Sequence, residues 1–106
     1  MQDRTLTPFT IKCSDYVDRT VDAQVFKHLA IYLHPFFGEV YTVAHKSGFA
    51  IGEFDSAQAA EAFVRASESL FDDMPQPIGM DNPAYAAWVA IVKPQVLLAR
   101  TLAGGR

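Results

Sequence analysis

Three histidines and one cysteine are the side chains that could carry catalysis or hold a metal. His28, His34 and His45 are six and eleven residues apart, and no neighbouring cysteine or carboxylate completes a spacing typical of zinc sites. A nucleophilic Cys13 would need a positioned histidine, which the sequence does not supply, so an inert structural thiol is the better interpretation. The sequence therefore predicts no catalytic residue, no metal ligand and no cofactor.

Two further motifs could carry chemistry, but the residues around them argue against it. Gly48-Phe-Ala-Ile-Gly52 lies inside a hairpin pattern, and no Gly-Lys-Ser/Thr follows it as in a phosphate-binding loop. Glu53 and Asp55 end a strand close together, where carboxylates are more often solvated than paired for acid–base catalysis. We therefore expect a protein that is not an enzyme. An enzyme with its site at the strand ends stays open as a third interpretation.

Composition and charge narrow the class of protein. The 106 residues are 50% hydrophobic and contain one cysteine, which predicts a single domain over residues 1–106 without an internal disulfide. The start of the chain has no apolar segment of the signal-peptide kind, so we expect a cytoplasmic protein that does not enter a membrane. The net charge is −3, and no basic stripe is present, which argues against nucleic-acid binding. The acidic segment 36–73 fits either a solvated helix face or nucleic-acid mimicry, and we prefer the first.

The first third of the chain is predicted as one strand and one helix. Leu6–Cys13 alternates apolar and polar residues from Phe9 onward, as a half-buried strand does. From Thr20 onward, apolar residues recur every four positions and predict a helix that ends before Pro35; they are Val21, Val25, Leu29 and Leu33.

The middle of the chain predicts a hairpin followed by an amphipathic helix. Glu39–His45 and Phe49–Phe54 are rich in β-branched and aromatic residues, and the loop between them ends at Gly48, which suits the left-handed backbone region. A helix over Ser56–Phe71 follows, capped by Asp55. Its predicted buried face consists of Ala59, Phe63, Ala66 and Leu70, with Ala60 and Val64 beside them.

The last third predicts two short helices. Asn82 and Pro83 form a strong helix start, and Lys93-Pro94 should break or kink the element before a second helix over Gln95–Ala103. Ala84–Val92 is apolar on all sides and must be covered, either as a core helix or as half of a dimer interface. A short buried strand over the same residues stays open. The fold class is α+β, with a small antiparallel sheet of about three strands against amphipathic helices, in the order β-α-β-β-α-α.

The hairpin has two unlike faces. A three-residue loop pairs His45 with Phe49 and places large residues on one face, namely Tyr41, Val43, His45, Phe49 and Ile51. The other face carries small residues that admit close approach by an alanine-rich helix. The large face must then be covered by another element of the fold or by a partner, and we predict that its five residues bind a protein partner.

The stretch from Tyr41 to Ser56, with Ala59–Phe63 after it, resembles the ββα unit of small proteins encoded by phages and mobile elements, some anti-CRISPR proteins among them. That resemblance implies an inhibitor that occludes a bacterial defence complex by binding it. The alternative is a homo-oligomeric structural or assembly protein, in which the apolar C-terminal helices of two copies form a homodimer.

Overall fold

The computed structural model describes residues 6–12 and 17–105, and it shows one antiparallel sheet followed by two helices. The strands follow one another in the sheet in chain order. The elements are β1 (Thr7–Lys12), β2 (Asp18–Val25), β3 (Leu29–Leu33), β4 (Tyr41–His45), β5 (Ala50–Phe54), α1 (Ala57–Ser67), a short 3₁₀ turn (Glu68–Phe71) and α2 (Pro83–Leu102). The α+β class is confirmed, but the prediction of about three strands in the order β-α-β-β-α-α is wrong, because the sheet has five.

The helix predicted after Thr20 is instead the β2–β3 hairpin. A spacing of four is also a multiple of two, so Val21 and Val25 share a face of a strand as readily as a side of a helix. Ala23 lies opposite Tyr32 in the register, and the N–H of Phe26 donates to the carbonyl of Leu29 at 2.7 Å to close the turn. The β-branched residues of this segment favour a strand over a helix.

The sheet buries both of its faces because it curls. The carbonyl oxygen of Thr10 on β1 lies 3.8 Å from the position that a Cβ on Gly48 would take, although β1 and the β4–β5 turn are at opposite ends of the strand order. The concave face holds a small core of Ile11, Ala23, Ala30, Tyr32 and Ala44. The other face packs on the helices and forms the main core, with Leu29, Ile31, Val43, Phe54, Ala60, Phe63, Val64, Phe71 and Ala99 buried in it.

The β4–β5 hairpin is confirmed, and Gly48 has the left-handed φ of 107° that its loop requires. The predicted register is confirmed next to the turn, where the N–H of His45 donates to the carbonyl of Phe49 at 2.9 Å, and it is wrong from Val43 onward. Val43 lies opposite Gly52 and Ala44 opposite Ala50, so Ile51 is an additional residue in β5, as in a β-bulge. The bulge reverses the facing of the residues beyond it and brings Phe54 onto the helix side, where its ring lies 5.2 Å from that of Phe63.

Helix α1 confirms the predicted helix with a shifted start. Ser56, and not Asp55, is the cap: its Oγ accepts from the N–H of Ala59 at 3.1 Å. The predicted buried face is confirmed at Ala60, Phe63 and Val64. It is wrong at Ala66, which is exposed, while Ser67 is buried in addition.

Helix α2 begins as predicted, with the Asn82 side chain accepting from the N–H of Ala84 at 3.1 Å, so the strand alternative is wrong. The break at Pro94 is also wrong, because the helix continues to Leu102. Pro94 and Ala90, whose carbonyl loses its helical donor, both lie on the exposed side, where water can satisfy that carbonyl. The helix is not covered on all sides either: its buried residues are Val92 and Ala99.

Residues 1–5 and Cys13, for which the sequence predicted the absence of a signal peptide and an inert thiol, lie outside the described residues.

Candidate functional site: a groove between the hairpin and α2

An elongated groove separates the β4–β5 hairpin from α2 and has a volume of about 310 Å³. We call it the groove. Its lining comes from the hairpin, the 3₁₀ turn and one side of α2, and consists of Phe49, Ala50, Ile51, Phe71, Tyr85, Trp88, Val89, Val92, Lys93, Val96, Leu97 and Arg100. Most of these side chains are apolar or aromatic, and the two charged residues among them are both cationic.

Aromatic rings form one wall of the groove. The Phe49 ring stacks on His45 at 5.1 Å, and His45 lies 5.6 Å from Phe71. Trp88 meets the Phe71 ring edge-on at 5.7 Å and lies 5.7 Å from Tyr85. Offset and edge-on ring pairs at these distances attract one another, so the aromatic wall packs on itself without a ligand.

The two cations stand on one side of α2, seven residues apart. Two helical turns separate residues at that spacing, so Lys93 and Arg100 lie about 10 Å apart along the axis. Arg100 is held by a hydrogen bond that its Nη1 donates to the carbonyl of Ile51 at 3.2 Å. A Cβ on Gly52 would lie 3.0 Å from Cδ of Arg100, so the missing side chain of Gly52 is what lets the arginine lie against β5.

A polar cluster outside the groove joins the β2–β3 turn to the 3₁₀ turn that follows α1. The Nε2 atom of His28 lies 2.7 Å from Oδ1 of Asp72, Lys27 Nζ lies 3.1 Å from the same oxygen, and the backbone N–H of His28 donates to the Glu68 carboxylate. The hydrogen bond from His28, and next the one from Lys27, hold the pKa of Asp72 below its usual value. This cluster fixes the turn on the 3₁₀ segment, and its groups are already engaged with one another.

His45 belongs to the wall behind the groove. Its Nδ1 accepts the N–H of Ser47 at 3.0 Å and lies 2.9 Å from the Ser47 hydroxyl. Burial lowers the pKa of His45, and the positive charges of His28 and Lys46 lower it further. A neutral ring in this turn packs against Phe49 and Phe71, which is a structural role.

The five residues predicted to bind a partner are divided by the structure. Val43 and His45 are buried, so at these two positions the face is covered by other elements of the fold, which was the alternative to a partner. The helices and the main core pack against this face of the hairpin. Phe49, 40% exposed, and the half-buried Ile51 line the groove, while the half-buried Tyr41 packs near the main core. Whether these residues bind a partner stays a prediction.

The α2 side of the groove was not predicted as part of a site. Tyr85, Trp88, Lys93, Leu97 and Arg100 are brought to the hairpin by tertiary packing. The seven-residue interval between Lys93 and Arg100 in an otherwise apolar helix was the available signal, because it sets two cations on one side of the helix.

Neither helix in the described part of the chain is long and apolar enough to cross a lipid bilayer. Within residues 6–12 and 17–105, no three His, Cys, Asp or Glu side chains are grouped so that they could hold a metal ion.

Comparison of the chain with known protein families, with curated proteins and with solved structures finds no match.

Proposed function

We propose that this protein acts by binding another protein, and that the groove receives a segment of that partner. The observation that carries the proposal is the lining of the groove. A preformed aromatic and aliphatic wall stands beside two cations, with no carboxylate among the lining residues. Concave apolar surfaces with a few placed polar groups are where ligands bind, and aromatic residues and arginine are enriched at the centres of protein interfaces.

The lining also selects the chemistry of the bound segment. Apolar or aromatic side chains would lie against Trp88 and Phe71, and a carboxylate would lie toward Lys93 and Arg100. Pairing by strand addition is disfavoured, because Arg100 already takes the Ile51 carbonyl on β5. The bound segment would therefore be recognised mainly through its side chains.

The narrower form of the proposal is an inhibitor that occludes a bacterial defence complex. It rests on the resemblance of the Tyr41–Ser56 stretch and Ala59–Phe63 to proteins of phages and mobile elements. A small binding protein of this kind needs no catalytic group, because it acts by covering a surface of its target.

A photo-reactive phenylalanine analogue placed at Leu97, inside the groove, tests the binding function in a bacterial lysate. Its matched control carries the same analogue at Ala66, which is exposed on α1. We expect a discrete protein adduct at Leu97 alone, and we expect Lys93→Glu to remove it. Identical adducts at both positions, or none at Leu97, would contradict the proposal.

A binding titration with a purified CRISPR effector complex tests the narrower form separately. Binding that is weakened at least tenfold by Lys93→Glu would support it. If the adduct at Leu97 comes from an unrelated protein and the effector complex does not bind, the inhibitor proposal is contradicted and the proposal of a binding function is kept.

A further inference from the structure

The outward side of α2 carries an uncovered apolar strip, separate from the groove. Its members recur at intervals of three and four residues over the whole helix and are all exposed: Ala84, Ala87, Ile91, Pro94, Leu98 and Leu102. The exposed fractions of Ile91, Leu98 and Leu102 are 68%, 60% and 78%. We call this set the α2 strip. Its spacing is that of the seam between two packed helices.

The charges of α2 lie away from this strip. At about 100° per residue, Lys93 and Arg100 point roughly opposite to Ile91 and Leu98. The helix contains no acidic residue. A second α2 packed on the strip would therefore bring no like charges together, and a charged partner would find nothing on the strip to pair with.

The α2 strip is also complementary to itself in size. Its N-terminal half has small residues, Ala84 and Ala87, and its C-terminal half has large ones, Leu98 and Leu102. We propose that α2 pairs with α2 of a second copy in antiparallel orientation, about a two-fold axis that passes between Val92 and Lys93. The proposal concerns a surface that the binding function does not use.

This axis places residues opposite one another when their numbers add up to 185. Ala87 then faces Leu98 of the second copy, and Ile91 faces its Pro94, so a small or ring-shaped residue meets a branched one at each level. A parallel pair would instead set Leu98 against Leu98 and Ala87 against Ala87, leaving crowding at one end and a gap at the other. Antiparallel packing also opposes the two helix dipoles favourably, and a two-fold pair is the commonest closed assembly.

The size of the contact predicts a dimer that dissociates on dilution. A helix of 20 residues is about 30 Å long and about 10 Å across, so the pair covers roughly 300 Å² of each copy. Stable interfaces cover about 800 Å² of each partner. The α2 pair is therefore of the weak, reversible class.

Sedimentation velocity across a dilution series tests the pairing. We expect the average mass of the full chain to rise toward twice the monomer value with concentration. Ile91→Glu should keep it monomeric at every concentration. Lys93→Glu, an exposed change on the far side of the same helix, should leave the association within twofold of the unmodified chain. A monomer throughout, or a dimer that Ile91→Glu does not weaken, would overturn the proposal.

Cysteine cross-linking tests the orientation. In a Cys13→Ser background, the double variant Ala87→Cys/Leu98→Cys should form a covalent dimer on mild oxidation, because the two sites face each other across the axis. The two positions are about 16 Å apart along one helix, too far for a bridge within one chain. Each single variant should form no covalent dimer. Efficient cross-linking of Leu98→Cys alone would indicate a parallel pair and overturn the antiparallel assignment.

Discussion

Arg100 on α2 and Ile51 on β5 are joined by a hydrogen bond of 3.2 Å across 49 positions of sequence. Ile51 is the additional residue of the β-bulge, and its carbonyl is turned toward the helix instead of toward another strand. Arg100 therefore fixes the distance between the two walls of the groove while keeping its remaining N–H donors for a ligand.

Arg100→Ala should widen the groove and lower stability. The substitution removes a charge-assisted hydrogen bond and the packing of the arginine stem over Gly52, at a cost of about 1.5–3 kcal/mol. Urea unfolding followed by tryptophan fluorescence measures it. Lys93→Ala is the control and should change the free energy of unfolding by less than about 0.5 kcal/mol. Equal losses in both variants would show that Arg100 has no special role in the packing.

Phe63→Ala and Phe49→Ala should differ in their effects on stability and on partner binding, because Phe63 lies in the core and Phe49 lines the groove. Phe63 is fully buried, so its truncation should cost about 3–5 kcal/mol. Phe49 is 40% exposed, and its loss should cost clearly less while weakening partner binding by more than about 1 kcal/mol. Thermal melts, together with a titration against whatever protein is cross-linked at Leu97, compare the two. Equally large destabilisation would place Phe49 in the core.

Gly48→Val should destabilise the hairpin by about 1–3 kcal/mol, because a β-branched residue is strained at a φ of 107°. Gly38→Val is the matched control. Gly38 is not among the glycines with positive φ, and a Cβ built on it meets no atom within 4 Å. A clear fall in melting temperature is expected for Gly48→Val alone. Unchanged melting of both variants would exclude strain at this turn.

Stability should fall as the pH drops through the titration of His45. The pKa of His45 in the folded state lies below the ordinary value of about 6.5. As the pH falls, the unfolded chain therefore binds the proton first, and the free energy of unfolding decreases from pH 6.5 down to the pKa of the folded state. His28 and Lys46 face this ring and act in the same direction. Urea midpoints measured across this range, compared with those of His45→Gln, should show a smaller pH dependence in the variant.

Asp72 should change the stability of the protein in a pH range below the one in which His45 acts. Its carboxylate is favoured in the fold, so its contribution is present above the ordinary aspartate pKa and disappears as the pH falls through the depressed value. Asp72→Asn should therefore flatten the acid limb below about pH 4 and leave the His45 limb unchanged. Loss of both limbs in Asp72→Asn would mean that the two groups titrate as one system.

Local signals in the sequence predicted the elements that have a defined start. The Lys46–Gly48 loop predicted the β4–β5 hairpin, and Asn82-Pro83 predicted the first turn of α2, because turn and cap chemistry is carried by adjacent residues. The β2–β3 hairpin was missed because apolar residues at every fourth position satisfy both the helical and the strand period. The continuity of α2 through Pro94 was missed because a proline inside a helical pattern ordinarily breaks or kinks the helix.

The groove was only half predictable. The sequence predicts Phe49 and Ile51 as site residues because they are large residues on a hairpin, and both line the groove. The α2 side, with Trp88, Lys93 and Arg100, depends on how α2 packs against the sheet and on the hydrogen bond from Arg100 to the Ile51 carbonyl. Those relationships join residues about 40–50 positions apart, and no spacing in the sequence encodes them.

The meander order of the sheet has a consequence during synthesis of the chain on the ribosome. Every strand pairs with the strand made just before it, so the sheet can be completed once β5 has emerged. Its concave face closes on residues of the strands alone, whereas the other face waits for α1 and for Ala99 near the end of α2. The nascent protein therefore passes through a stage in which a finished sheet presents Leu29, Ile31 and Val43 to the solvent. Chaperones that recognise apolar surface should engage it during that interval.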